Sequence, residues 1–78
     1  MPAISHLDME VTSNKTQLIS VEFTDMLGQK FLVVDNYQLN EGDNTIGIEL
    51  ENFASGTYLY SIISSEKVIN GNLIILKP

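Results

Sequence analysis

The chain has a single imidazole, His6, and it is the natural first candidate for acid–base or metal chemistry. No second imidazole stands near it in sequence, and the chain has no Cys. A metal site would require more His or Cys ligands at fixed spacing. His6 is therefore expected on a solvated face. The carboxylates are Asp8, Glu10, Glu22, Asp25, Asp35, Glu41, Asp43, Glu49, Glu51 and Glu66. They are dispersed over polar strand positions and turns, where charge keeps a small β-domain soluble and its edges unpaired. The nearest approach to a ligand set is Asn40–Asn44, a candidate for weak calcium binding, since hard cations take oxygen ligands. It lacks the spaced Asp ligands and the distal Glu of a calcium loop.

Nucleophilic and phosphate chemistry are equally unsupported. No Ser lies in a G-x-S-x-G setting, and Gly28, Gly42, Gly47, Gly56 and Gly71 form no phosphate-cradling motif. Asn14-Lys15-Thr16 matches a glycosylation acceptor, a short pattern common by chance. Tyr37, Tyr58 and Tyr60 could suggest a sugar platform, but Tyr58 and Tyr60 share one strand face and are expected in the core. Tyr58 also opens a strand after a turn. That is the setting of a tyrosine corner, in which the hydroxyl bonds back to the preceding turn. The residues predict no active site, no enzyme activity and no cofactor.

Composition narrows the field further. At 78 residues the chain is one domain, and domains of this size bury only about 60% of their unfolded surface. Ten Asp and Glu face four Lys and no Arg, for a net charge of −6. Nucleic acid and anionic membrane surfaces call for the opposite sign. No apolar run approaches the roughly 18 residues of a membrane span, and the N-terminus lacks the pattern of a signal peptide.

The elements that position these residues are strands. Ala is scarce, and Ile, Leu, Val, Tyr and Phe dominate the apolar set. Leu7, Met9 and Val11 alternate with polar neighbours, as do Ile19, Val21 and Phe23, and Ile46, Ile48 and Leu50. Tyr58, Tyr60 and Ile62 follow the same period of two, the mark of a strand half-buried on a core. Turns fall at 13–16, 25–28, 40–44, 52–56 and 64–67, with a further strand from Lys30 to Tyr37. Gly28 fits a three-residue hairpin loop that closes in the left-handed region.

Asn70-Gly71 is by itself a hairpin signal. A turn there would leave very short strands. A turn at Ser64–Lys67 pairs the longer runs Thr57–Ile63 and Val68–Leu76 and predicts a bulge or bend at Gly71. In Leu73-Ile74-Ile75-Leu76 both faces are apolar, so the pattern leaves the register open. The expected fold is an all-β, antiparallel, immunoglobulin-like β-sandwich of about six to seven short strands.

These residues resemble a known family. Val21–Lys30 resembles its strand and hairpin, with Asp25, Gly28 and Gln29 in the expected order. A polar turn with Gly42 and Asn44 follows, then the strand Thr45–Leu50. Phe53, Gly56, Tyr58, Tyr60 and Ile62 match its spaced aromatic and glycine signature. The chain then closes on Leu73-Ile74-Ile75-Leu76-Lys77, an apolar run ending in a base. Pro2-Ala3-Ile4-Ser5 resembles the family's opening segment, with Met1 where Asn would stand. The family is the C-terminal sorting domain, type A, of the type IX secretion system of Bacteroidota.

The resemblance implies a transport address rather than an activity. It implies a single sorting domain over 1–78, excised from a larger secreted protein that reaches the cell surface or medium via the periplasm. The implied partners are an outer-membrane translocon and a sortase-like surface peptidase, with neither nucleic acid nor membrane insertion involved. The last strand, with Leu73, Ile74, Ile75, Leu76 and Lys77, is the expected recognition element, docking by strand addition. Asp25, Gly28, Gly42, Gly56 and Tyr58 are expected to serve the fold. An apolar terminal strand also makes a dimer through edge strands conceivable for the isolated domain. The competing reading is a fibronectin- or immunoglobulin-like binding or adhesion module, which predicts an exposed aromatic platform or a metal loop.

Overall fold

The computed structural model describes residues 2–3 and 5–77, with side chains from residue 5 onward. Its strands are β1 (Pro2–Ala3), β2 (His6–Ser13), β3 (Gln17–Thr24), β4 (Lys30–Leu39), β5 (Gly42–Glu49), β6 (Gly56–Ile63) and β7 (Val68–Ile75). There is no helix among the described residues. One sheet has the order β1-β7-β6-β3-β4, and the other pairs β2 with β5. The pairs are antiparallel except β1 on β7, where Pro2 and Ala3 run parallel to Ile74 and Ile75.

The alternating residues do what their period requires. Leu7, Met9, Ile19, Val21, Phe23, Ile46, Ile48 and Leu50 are all buried between the two sheets. Tyr58, Leu73 and Ile75 join them from β6 and β7, and Leu39 from the end of β4. An edge-to-face aromatic cluster closes one end: the Phe53 ring lies 5.4 Å from Phe23, 5.3 Å from Phe31 and 5.8 Å from Tyr58. Such geometry sets the positive ring edge against a negative ring face.

The β3–β4 hairpin follows the expected three-residue form. Gly28 N donates to Asp25 O, Asp25 N donates to Gln29 O, and Gly28 has φ +86°. The Asp25 carboxylate accepts from Leu27 N and Gln29 N, both at 2.9 Å. Asp25 thus satisfies loop donors that would otherwise rely on water.

Three local expectations change. The 64–67 turn does pair β6 with β7, but Gly71 is neither a bulge nor a bend. The register runs unbroken from Gly56↔Ile75 to Ile63↔Val68, and Gly71 stands directly opposite Tyr60. The glycine is there because the Tyr60 ring covers it, leaving no room for a Cβ. The bulges lie instead in β4, which runs to Leu39 rather than Tyr37. From Ile19 to Val21, β3 advances two residues while β4 advances three, and a second extra residue falls beside Val21 and Glu22. Asn36 takes φ +50° at the first of these, and its N–H donates to Ser20 Oγ at 3.3 Å. Asn tolerates the left-handed region better than most residues. Finally, β5 begins at Gly42, inside the expected 40–44 turn, because Asn44 is already in register with Val11.

Candidate functional site

The apolar tail resolves into two faces once β7 is paired. Leu73 and Ile75 are fully buried, opposite Tyr58 and Gly56, whereas Ile74 is 40% and Leu76 54% exposed. Lys77 is tied back to the β5–β6 loop: its N–H donates to Ser55 Oγ at 2.9 Å and its ammonium to Glu51 O at 2.7 Å. The expected recognition residues are therefore half core and half surface.

The free edge of β7 is the more informative feature. Among the described residues, β1 pairs with it at Ile74 and Ile75, and from Val68 to Leu73 the strand pairs with β6 alone. No charged residue and no Pro lies between Lys67 and Lys77, and no bulge interrupts the register. Proteins usually blunt an edge with charge, Pro or bulges. β4, at the other end of the same sheet, has two bulges. The two edges are thus managed differently, and that of β7 is competent to pair.

The residues expected to serve the fold are spread over both ends of the sandwich. Asp25 and Gly28 shape the β3–β4 loop. Gly56 opens β6 beside the end of β7, and two residues on the Tyr58 hydroxyl donates to Ala54 O at 2.7 Å, closing the expected tyrosine corner. Gly42, with φ +102°, lies at the opposite end, where it pairs with Ser13. Tyr60 is packed against the core, so the two tyrosines of β6 form no exposed platform.

His6 is less isolated than its sequence neighbourhood indicates. Its Nε2 lies 2.6 Å from Asp8 Oδ1 and its Nδ1 2.8 Å from Glu49 Oε1, with the ring over Gly47. These hydrogen bonds, to Asp8 foremost and then Glu49, raise the imidazole pKa above its ordinary value. Asp8 shares the His6 face by the period of two, but Glu49 arrives only through the β2–β5 pairing. Both ring nitrogens are engaged by carboxylates, which favours the protonated imidazole. Elsewhere, the Lys15 ammonium bonds Glu66 and lowers that carboxyl's pKa.

At 40–44 the Asn44 side chain ties the loop together. The Asn44 amide nitrogen donates to Asn40 O at 2.9 Å, Gly42 O at 3.1 Å and Val11 O at 3.2 Å, while its Oδ1 accepts from Asn40 N. Asp43 accepts from Thr12 across the sheet. Among the described residues, no group of three or more His, Cys, Asp or Glu is placed to hold a metal.

The fold is a small β-sandwich whose last strand, β7, lies near one edge of the larger sheet with an uncharged, unbulged run. The family model for the secretion system C-terminal sorting domain matches residues 1–76, and the chain belongs to that family. No curated protein and no solved structure matches the chain. It is a C-terminal sorting signal for type IX secretion, marking a protein for export across the outer membrane to the surface or the medium. Families of this kind are typically non-catalytic, and membership implies contact with the type IX machinery.

Proposed function

We propose that β7 is the element through which the outer-membrane translocon recognises this domain, by adding a strand to its free edge. The observation that carries the reading is the uncharged, unbulged edge from Val68 to Leu73, in a chain of the sorting family. Main-chain hydrogen bonds supply affinity in such pairing, and pockets for alternate side chains supply selection. The domain, 1–78, has no chemistry of its own. It rides at the C-terminus of a larger cargo, and a sortase-like peptidase at the surface removes it once the cargo has crossed. The buried Leu73 and Ile75 hold β7 in place, and the Lys77 contacts fasten its end.

The test is a fusion of residues 2–78 to an exported fluorescent protein, in a host with a working type IX system and in its translocon mutant. The wild-type fusion is expected outside the cell in the first host and in the periplasm of the second. Deleting Leu73–Pro78 should retain it in the periplasm of both. Since that deletion also removes core residues, Leu76→Glu at an exposed position provides a folded comparison. Periplasmic retention of the wild-type fusion in both hosts, or free passage of the deletion, would sink the reading.

A further inference from the structure

The Asn70-Gly71 pair forms no turn in this fold, yet it remains chemically distinctive. Of seven Asn, Asn70 alone is followed by Gly; the others precede Lys, Tyr, Glu, Thr, Phe and Leu. A backbone nitrogen can attack the side-chain amide carbon of the Asn before it and close a five-membered ring. Gly favours this step, because it has no side chain to crowd the nitrogen and restricts the backbone least. Asn70 is exposed, so water reaches it.

The strand pairing restrains this reaction from both faces of the sheet. Ser61 Oγ donates to Asn70 Oδ1 at 2.7 Å, which turns the amide across to β6. The Tyr60 ring covers Gly71 from the inner face. Ring closure also needs the Asn70 backbone rotated well away from the extended conformation that pairing imposes. All three restraints come from β6, and they are released together when β7 separates from it. The start of β7 is placed for such separation. Among the described residues, Val68–Leu73 pairs on one side, and Val68, Ile69 and Asn70 are exposed. Segments with few buried contacts open at a lower free energy than the whole domain.

We propose that Asn70-Gly71 is a covalent modification site, closed while β7 lies on β6 and reactive when β7 separates. The deprotonated Gly71 nitrogen bonds to Asn70 Cγ, the Cγ–Nδ2 bond breaks, and Nδ2 leaves as ammonia. Water then opens the succinimide. Attack at the side-chain carbonyl gives aspartate, and attack at the main-chain carbonyl gives isoaspartate. Neither step needs an oxidant or a reductant. The change is spontaneous ageing of the chain rather than an activity. Isoaspartate routes the main chain through Cβ and Cγ and so adds one atom to β7 ahead of Leu73 and Ile75. These two side chains are fully buried, and the added atom displaces them from their places opposite Tyr58 and Gly56. A transient opening of the strand is thereby made permanent. The proposal does not depend on what β7 recognises.

The test incubates the 78-residue chain and a capped peptide of residues 67–75 at mildly alkaline pH. Peptide mapping by mass spectrometry follows aspartate and isoaspartate at each Asn. The peptide should convert at Asn70, and the folded chain at least about tenfold more slowly, since its rate follows the open population. Leu73→Ala loosens β7 and should convert about tenfold or more faster than the parent chain, reaching the rate of the peptide where it does not fold. Asn70→Gln, whose longer side chain closes a ring far more slowly, should give no product at this position. Chain purified with isoaspartate at this position should melt below the parent. Equal rates in peptide and folded chain, no acceleration by Leu73→Ala, or faster conversion at another Asn in that variant overturns the proposal. An unchanged melting temperature of the isoaspartate form overturns the permanence of the opening.

Discussion

The Tyr60 ring lies across Gly71, its direct partner on the neighbouring strand, and occupies the space a Cβ at that position would need. Glycine ordinarily weakens a strand, and an aromatic ring laid over it restores contact and excludes water. Gly71→Ala must push the ring away from a half-buried seat. It should destabilise the domain by about 1–3 kcal/mol, the usual cost of overpacking. Thermal unfolding of Gly71→Ala, Tyr60→Ala and the double variant checks this: the two losses should be strongly non-additive.

The tyrosine corner makes a second prediction. The Tyr58 hydroxyl reaches Ala54 O from a ring that is itself buried. Tyr58→Phe keeps the ring contacts with Phe53 and Phe23 but leaves the carbonyl without that donor. Denaturant unfolding should show a loss of about 1 kcal/mol with an unchanged m-value. An unaltered midpoint would remove the corner from the account of stability.

Neighbours in the apolar tail should behave oppositely. Leu73→Ala opens a cavity in the core and should cost about 2–5 kcal/mol, a large part of what a domain this small possesses. Ile74→Thr, on the outer face, should stay within about 0.5 kcal/mol. Circular dichroism melts of the two variants distinguish the faces directly.

A pH dependence follows from His6. Its folded pKa is raised above the ordinary 6.5 by Asp8 and Glu49, so the native state holds the proton more tightly than the unfolded chain. The contribution to stability is full below about 6.5 and is lost as pH rises through the raised folded value. His6→Gln should flatten the melting temperature against pH above 6.5. NMR titration should give a His6 midpoint above the ordinary value in the parent chain and closer to it in Asp8→Asn. A midpoint at or below the ordinary value would refute the ion triad.

Much of the fold was legible because strand periodicity is local. A period of two, interrupted by turn residues, is written in adjacent positions. The strands carrying Leu7, Ile19, Ile46 and Tyr58 therefore lie where the pattern places them, and Asp25 and Gly28 shape their hairpin with contacts at most four residues apart. The Asn36 bulge was hidden because it depends on the Ser20 hydroxyl of the neighbouring strand. Glu49 at His6 was hidden for the same reason, 43 residues away in the chain.

By itself the sequence determined an all-β domain of the sorting family whose last strand is apolar. Tertiary structure alone decided which face of that strand is core, why Gly71 is a glycine, and which edge stays open. Register joins residues distant in the chain, and a tail apolar on both faces holds no local signal for it. Pairing to β6 buries Leu73 and Ile75, β1 pairs with the edge at Ile74 and Ile75 among the described residues, and Ile69 stays exposed beside the narrower second sheet.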